Sequence, residues 1–271
     1  MKIFKNKLSL QKEISKENYI SFVPTMGGLH KGHLSLIKKA KNYKYKTCVS
    51  IFVNPNQFNK KSDYQNYPRN LKSDIKKLKK LKINYLYVPT YKDIYSFQTK
   101  NKIYVDKFSK QLCGKFRKNH FEGVLNVVNR FLEIIKPKYI YLGLKDFQQL
   151  TLIDRHISKN KIKTKVIKCK TIRDKNGVAS STRNLNLNAK QLLIASSIYN
   201  YLINLKEKIR KNFKSFKKNV IKKDLISLGA TKIDYIENVD LKISQKRNKK
   251  KKKFKLFIAY YIENTRLIDN I

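Results

Sequence analysis

The sequence predicts an α/β fold in two parts: a mostly parallel sheet over residues 1–175 and a smaller α+β C-terminal domain over 176–271. Three observations carry this. Apolar, β-branched runs alternate with helical spacing through the first part, the pattern of parallel strands joined by right-handed crossovers with helices on both faces. The pattern changes after Arg183-Asn184, where long helical stretches precede strands. Finally, Pro24-Thr25-Met26-Gly27-Gly28-Leu29-His30-Lys31-Gly32-His33 joins a strand-like run to a helix-like one, at the kind of place where such sheets bind ligands.

The elements follow in order. Residues 19–23 (Tyr-Ile-Ser-Phe-Val) form a buried strand pattern, and 33–44 a helix with Leu34, Leu36, Ile37 and Ala40 on one face. Residues 47–53 are a near-continuous β-branched run, as in a strand buried on both faces. Leu71, Ile75, Leu78 and Leu81 have helical spacing, and 85–88 is a strand closed by Pro89. A helix over 121–135 stops before Pro137, because the residue before proline avoids the helical region. Residues 139–142 and 163–169 are strands flanking a helix over 146–156. In the second part, Ala189–Lys211 and 216–228 read as helices, the latter ended by Gly229. Residues 233–239 and Phe254–Ile262 read as strands, with the five lysines of 249–253 as a solvated hairpin loop between them.

The chain of 271 residues carries 63 Lys and Arg against 18 Asp and Glu, a net charge of +45. Such a field favours polyanions. Here the lysines occur on helix faces, in loops and at strand ends alike, with no basic stripe interleaved with stacking aromatics, which argues against a dedicated nucleic-acid module. No apolar run approaches the ~20 residues of a membrane span. Met1-Lys2-Ile3-Phe4-Lys5 leads into no apolar signal core, and Cys48, Cys113 and Cys169 form no C-x-x-C pair, so a reducing cytoplasm is expected.

Candidate chemistry sits in the loops that precede helices. His30 and His33 stand beside glycines at a helix start, where free N–H groups and the helix dipole favour phosphate. Helix-start residues of no special role, or two ligands of a metal site lacking its others, are the alternative readings. Asn54 and Gln57 are uncharged donor–acceptors suited to a small polar substrate, or to turn chemistry. Lys145 offers a point charge for phosphate, and Asp146 a helix cap or a ligand for a ribose hydroxyl or Mg²⁺. The loop 171–184, with an Asn176-Gly177 turn followed by hydroxyls and Arg183, suits a mobile phosphate cover or a plain surface turn.

Taken together, seven stretches resemble the pantoate–β-alanine ligase family, within the wider H-x-G-H nucleotidyltransferases. They are Pro24-Thr25-Met26-Gly27 with His30-x-Gly32-His33; Phe52-Val53-Asn54-Pro55-x-Gln57-Phe58; Tyr67-Pro68-Arg69; His120-Phe121-x-Gly123-Val124; Lys145-Asp146-Phe147-Gln148-Gln149; Ser181-Thr182-Arg183-Asn184; and Thr265-Arg266-Leu267-Ile268-Asp269-Asn270. They run in family order across almost the whole chain.

The resemblance implies a Rossmann-like N-terminal domain, a C-terminal lid, a homodimer, and ATP-dependent joining of pantoate to β-alanine through pantoyl adenylate. It implies that His30, His33, Lys145, Ser181 and Arg183 are catalytic. Met26, Gly143, Asp146 and Thr182 join them around ATP; Met26, Gln57 and Gln149 contact pantoate; Asn54, Tyr67 and Arg117 line the site; Asp74 helps hold Mg²⁺. No specific nucleic acid and no membrane partner is implied. The chain departs from the family at Ser73, where an acidic residue usually precedes Asp74, at Leu144, at Lys118-Asn119 in place of Pro-Gly, and at Ser180-Ser181-Thr182-Arg183 in place of Met-Ser-Ser-Arg. The loss of Pro-Gly predicts a looser loop before His120.

Overall fold

The computed structural model describes residues 1–42, 45–240 and 254–271. The lysine run of 249–253 lies outside them. The chain divides into two compact units, Met1–Ile172 and Arg173–Ile271.

The first unit contains β1 (Lys2–Phe4), α1 (Lys7–Ile14), β2 (Ile20–Thr25), α2 (Lys31–Lys41), β3 (Lys46–Ile51), α3 (Lys61–Gln65) and α4 (Leu71–Lys80). It continues through β4 (Tyr85–Tyr87), α5 (Tyr91–Tyr95), α6 (Cys113–Phe116), α7 (His120–Ile135), β5 (Tyr139–Gly143), α8 (Phe147–Lys159) and β6 (Lys165–Cys169). Its six strands run parallel in the order β1-β4-β3-β2-β5-β6.

Successive strands step outward from β2 on one side, and the chain then returns to β2's other side with β5. The order therefore reverses between β2 and β5, and a crevice opens beyond the carboxyl ends of strands at such a reversal. Side-chain alternation separates two faces. Val23, Val49 and Leu86 lie in register and join Ile37 and Ala40 of α2 and Leu78 of α4 in one core. On the opposite face Phe22 and Tyr87 meet Phe131 of α7, with ring centroids 5.5 and 6.1 Å apart. Helices thus cover both faces of the sheet.

The second unit contains α9 (Ala189–Lys211), α10 (Lys218–Ser227), β7 (Lys232–Asp240), β8 (Phe254–Ile262) and β9 (Thr265–Asn270), with the strands antiparallel in the order β7-β8-β9. A capping box opens α9: the Asn188 side chain accepts from the Gln191 N–H while the Gln191 side chain accepts from the Asn188 N–H. Ile198, Leu202 and Leu205 of α9 pack with Ile221 and Leu225 of α10 and with Ile236 and Ile258 of the sheet.

Six of these elements go beyond the sequence expectations, among them the short helices α3, α5 and α6. β1 and α1 add an edge strand, paired with β4, and its following helix. β9 adds a third strand to the small sheet, where the sequence suggests two.

Candidate active site

The histidine loop begins where β2 ends. Thr25 Oγ1 donates to the Ser50 carbonyl at 2.7 Å and accepts from the Gly27 N–H at 3.2 Å, which turns the chain. Gly27 and Gly28 then take φ of +80° and +59°, a left-handed pair open chiefly to glycine. This geometry aims the N–H groups of Gly28 and Leu29 at Asp74 Oδ2 and Oδ1, both at 2.8 Å. A Cβ on Gly27 would come within 3.1 Å of Asp74 Oδ2 and of Ile51 Cγ2. The glycines therefore admit a carboxylate of the protein itself; these two amides are not left for a phosphate, as the sequence suggests. Asp74 is 1% exposed. From the next turn of α4, Lys77 Nζ donates to the Leu29 carbonyl at 2.6 Å.

His30 caps α2: its Nδ1 accepts from the Gly32 N–H at 3.1 Å. With Nδ1 an acceptor, the neutral ring carries its proton on Nε2. The His33 ring lies 4.0 Å away, centroid to centroid. Burial pushes the His33 pKa well below the usual histidine value, and the charges of His30, Lys145 and Lys77 push the same way. His33 is therefore neutral near pH 7. Its ring keeps some accessible surface, but Nδ1 is sealed from solvent and has no partner among the described residues.

A second group forms beyond β3, on a single helical turn over Pro55–Gln57. Gln57 Nε2 donates to Met26 Sδ at 2.8 Å, so these two predicted pantoate contacts stand side by side. Asn54, at 1% exposure, spends its polar atoms inside the protein. Its Nδ2 donates to the Gly123 carbonyl at 3.1 Å, and its Oδ1 accepts from the Tyr95 hydroxyl at 2.9 Å. Its Oδ1 also accepts from the Asn56 N–H at 3.3 Å, so Asn54 caps the turn that carries Gln57, the turn-chemistry alternative of the sequence reading. His120 is a further support that the sequence reading left without a role. Its Nδ1 lies 2.7 Å from the Gln57 carbonyl, which can only accept, and its Nε2 lies 2.8 Å from Arg117 Nη1, which can only donate. That fixes the Nδ1–H tautomer. Arg117 therefore reaches the Gln57 turn through His120, and its Nη2 also donates to the Gln57 carbonyl at 3.4 Å.

In the loop before His120, specific contacts stand where the Pro-Gly is missing. Asn119 sits at φ +60°, where asparagine substitutes for glycine at little cost, and the Asn59 amide donates to the Lys118 carbonyl at 2.8 Å. Tyr67 packs edge-on against Phe58, 5.6 Å between centroids.

The third group follows β5. A Cβ built on Gly143 would meet nothing within 4 Å, so the space beside this backbone is open. Lys145 Nζ lies 3.9 Å from Asp146 Oδ1, with side chains 17% and 46% exposed. Gln149 is half-buried on the first turn of α8. Its neighbour Gln148 is buried and structural, tying α8 to the carbonyls of Phe108 and Gln111 at 2.7 Å each. The loops after β2 and β5 flank the strand-order reversal, so His30, His33 and Lys145 share that crevice.

In the second unit, Ser181 caps a short helical turn over Thr182–Asn186, its Oγ accepting from the Arg183 N–H at 3.3 Å. Thr182 is buried and Arg183 half-buried. The preceding hairpin is anchored by Arg173, which forms a two-pronged pair with Asp269 of β9 at 2.6 and 2.9 Å and lies 4.5 Å over the Tyr199 ring. Ion pairing thus accounts for Asp269.

The fold and this crevice define an α/β protein with two histidines and a lysine gathered at a strand-order reversal. The pantoate-β-alanine ligase family model matches residues 2–271, and the chain belongs to that family of ligases. Pantothenate synthetase of Flavobacterium psychrophilum is 40% identical over 269 residues, covering 98% of this chain and 95% of the relative. That of Thermosipho africanus is 39% identical, covering 98% of both. Among solved structures, pantoate-β-alanine ligase from Francisella tularensis, complexed with β-γ ATP and β-alanine, is 39% identical, with a TM-score of 0.82 over 100% of this chain and 97% of that one. Pantothenate synthetase from Thermus thermophilus is 28% identical, with a TM-score of 0.88 over 100% and 99%.

Among the described residues no three His, Cys, Asp or Glu side chains converge as a metal site. Asp74 does not fit Mg²⁺ as a ligand. Mg²⁺ keeps several waters at short octahedral distances, and a 1%-exposed carboxylate with both oxygens on backbone amides has no room for them. No helix among the described residues is long and apolar enough to cross a membrane.

Proposed function

We propose that the protein condenses (R)-pantoate with β-alanine at the expense of ATP, giving pantothenate, AMP and pyrophosphate. The observation that carries this reading is His30 beside a neutral His33 at the end of β2, near Lys145 and next to the Met26–Gln57 contact, in a chain of this family.

In the first step a pantoate carboxylate oxygen attacks the α-phosphorus of ATP. The bond to the β-phosphate breaks, and pyrophosphate leaves with the electron pair. Chemistry of this kind needs positioning and charge stabilisation more than covalent help. His30 Nε2–H and Lys145 donate to the phosphates, and His33, neutral, does so without adding a buried charge. The second unit acts as a lid that brings Ser181, Thr182 and Arg183 to the same phosphates. Asp146 takes the ribose, and the open backbone at Gly143 lets the nucleotide approach. Met26, Gln57 and Gln149 hold pantoate, with Asn54, His120 and Arg117 steadying Gln57 and Tyr67 lining the edge.

In the second step the β-alanine amine attacks the acyl carbon. The C–O bond to phosphate breaks, AMP leaves, and the amine gives up a proton. Mg²⁺ is proposed as the companion of ATP, borne by its phosphates and not by Asp74. The working form is a homodimer in the cytoplasm, with small-molecule substrates and no specific nucleic-acid partner.

The test is AMP and pyrophosphate release with each substrate omitted in turn. Pyrophosphate should require pantoate, and pantothenate should require β-alanine as well. AMP formed from an amino acid and tRNA without pantoate would overturn the reading. Lys145→Ala should cut pyrophosphate release by at least ~10²-fold.

A further inference from the structure

We infer that Asp74, with Lys77, is a positioning residue for the catalytic histidines: an internal anion that holds the loop 27–29 in the shape that sets His30 on the cap of α2. The inference rests on the proposed function for what the loop is used for, but its geometry stands alone.

Consecutive backbone N–H groups that converge from a left-handed turn form a concave anion site. In this chain that concavity, made by Gly28 and Leu29, is filled by the Asp74 carboxylate, one oxygen to each N–H at 2.8 Å. The anion is thus built into α4, 45 residues away in sequence from Leu29. Lys77, one turn further along α4, takes the carbonyl of the same Leu29 at 2.6 Å. The peptide group on each side of Leu29 is therefore held from α4, one by a carboxylate and one by an ammonium. Leu29 itself is 2% exposed and packs in the core with Leu78 of α4, which fixes the distance between loop and helix. His30 follows directly, and its φ of −119° and ψ of 175° set the ring so that Nδ1 caps Gly32 and Nε2 carries the proton.

A carboxylate is needed because both of its oxygens accept. An asparagine in the same place offers one acceptor and turns an NH₂ toward an N–H. The absence of a second carboxylate at Ser73 also follows, since the clamp uses a single acid and Ser73 is a half-buried residue of the first turn of α4, where its N–H is capped by Asn70.

Hydrogen exchange of the segment 26–34 in the substrate-free protein tests the clamp, measured with and without Mg²⁺. In Asp74→Asn, exchange there should quicken by at least about tenfold while α7 stays protected, and Mg²⁺ alone should change neither protein. Kinetically, Asp74→Asn should lower kcat by about 10²-fold or more, with the half-saturating Mg²⁺ concentration within about twofold of wild type. Lys77→Met should move exchange and kcat in the same direction by about tenfold, which decides the matter if Asp74→Asn does not fold.

Unchanged exchange at 26–34 in either variant would overturn the clamp. So would a half-saturating Mg²⁺ concentration raised by about tenfold or more, the mark of a metal ligand. If the protein proved to have no pantoate-dependent activity, the proposed function would fall while the exchange result still decided the clamp.

Discussion

His30 does two jobs with two different nitrogens, and a substitution can separate them. Nδ1 caps α2 at Gly32, while Nε2 holds the proton that the phosphates are proposed to receive. Asparagine is among the best N-cap residues, so His30→Asn keeps the first job and loses the second. The melting temperature should move by no more than about 2–4 °C, the equivalent of about 1 kcal/mol in a domain of this size, while pantoate-dependent pyrophosphate release falls by ~10²–10³-fold. A large fall in melting temperature would mean the ring's main role is structural. Gly123 makes a second residue-scale case. A Cβ there would come within 2.2 Å of the Asn56 carbonyl oxygen and 2.9 Å of Gln57 Cα, both backbone. The helix must withdraw from the turn that carries Gln57, so Gly123→Ala should cost about 1–3 kcal/mol and raise the KM for pantoate more than that for ATP. Equal rises in both would count against Gln57 as a pantoate contact.

At the scale of elements, α7, α8 and the segment near residue 104 are joined through buried His156. Its Nε2–H donates to Asn129 Oδ1 at 3.1 Å, and its Nδ1 accepts from the Tyr104 N–H at 3.2 Å. Burial lowers its pKa, as it does more strongly for His33. The unfolded chain therefore binds protons near pH 6.5 that the folded chain refuses. The stability is full above that value and is lost as pH falls below it, by up to about 1.4 kcal/mol per pH unit for each histidine. The urea midpoint should drop between pH 7 and pH 5, and His156→Gln should flatten that slope; an unchanged slope would show that His156 is not its source. This network was invisible in the sequence, and the reason is general. Long elements show enough periods to be read: α9 and β8 take the bounds that their patterns predict, and α7 starts within one residue. The edge strand β1 has three residues and is held by β4, more than eighty positions away. The site divides in the same way. The strand–turn–helix context of His30 and Lys145 is local, and it exposed them. The support of Gln57 by His120 spans 63 positions and the hold of Asp74 on Leu29 spans 45, so neither leaves a spacing to recognise.

The whole molecule carries 63 basic side chains and only 18 acidic ones, so ion pairing cannot neutralise it. Several acids are already committed: Asp74 to backbone amides, Asp269 to Arg173, and Asp234 to Arg266. Others pair at the surface, as Glu13 with Lys2 and Glu237 with Lys218, where a bridge contributes little. The remaining lysines repel one another across the folded surface, and compaction brings them closer than the unfolded chain does. Salt shortens that repulsion to a Debye length of about 8 Å at physiological strength. The folded state should therefore gain from added KCl, with the melting temperature climbing by about 2–4 °C for each kcal/mol of repulsion relieved, most steeply at low salt. Sodium sulfate at equal ionic strength separates screening from anion binding. Equal curves mean diffuse repulsion, the expectation for lysines spread over every element. A steeper sulfate curve that ATP abolishes would instead place the gain at the crevice of His30, His33 and Lys145. A melting temperature that falls with salt would show that the few acidic groups hold more of the fold together than their number suggests.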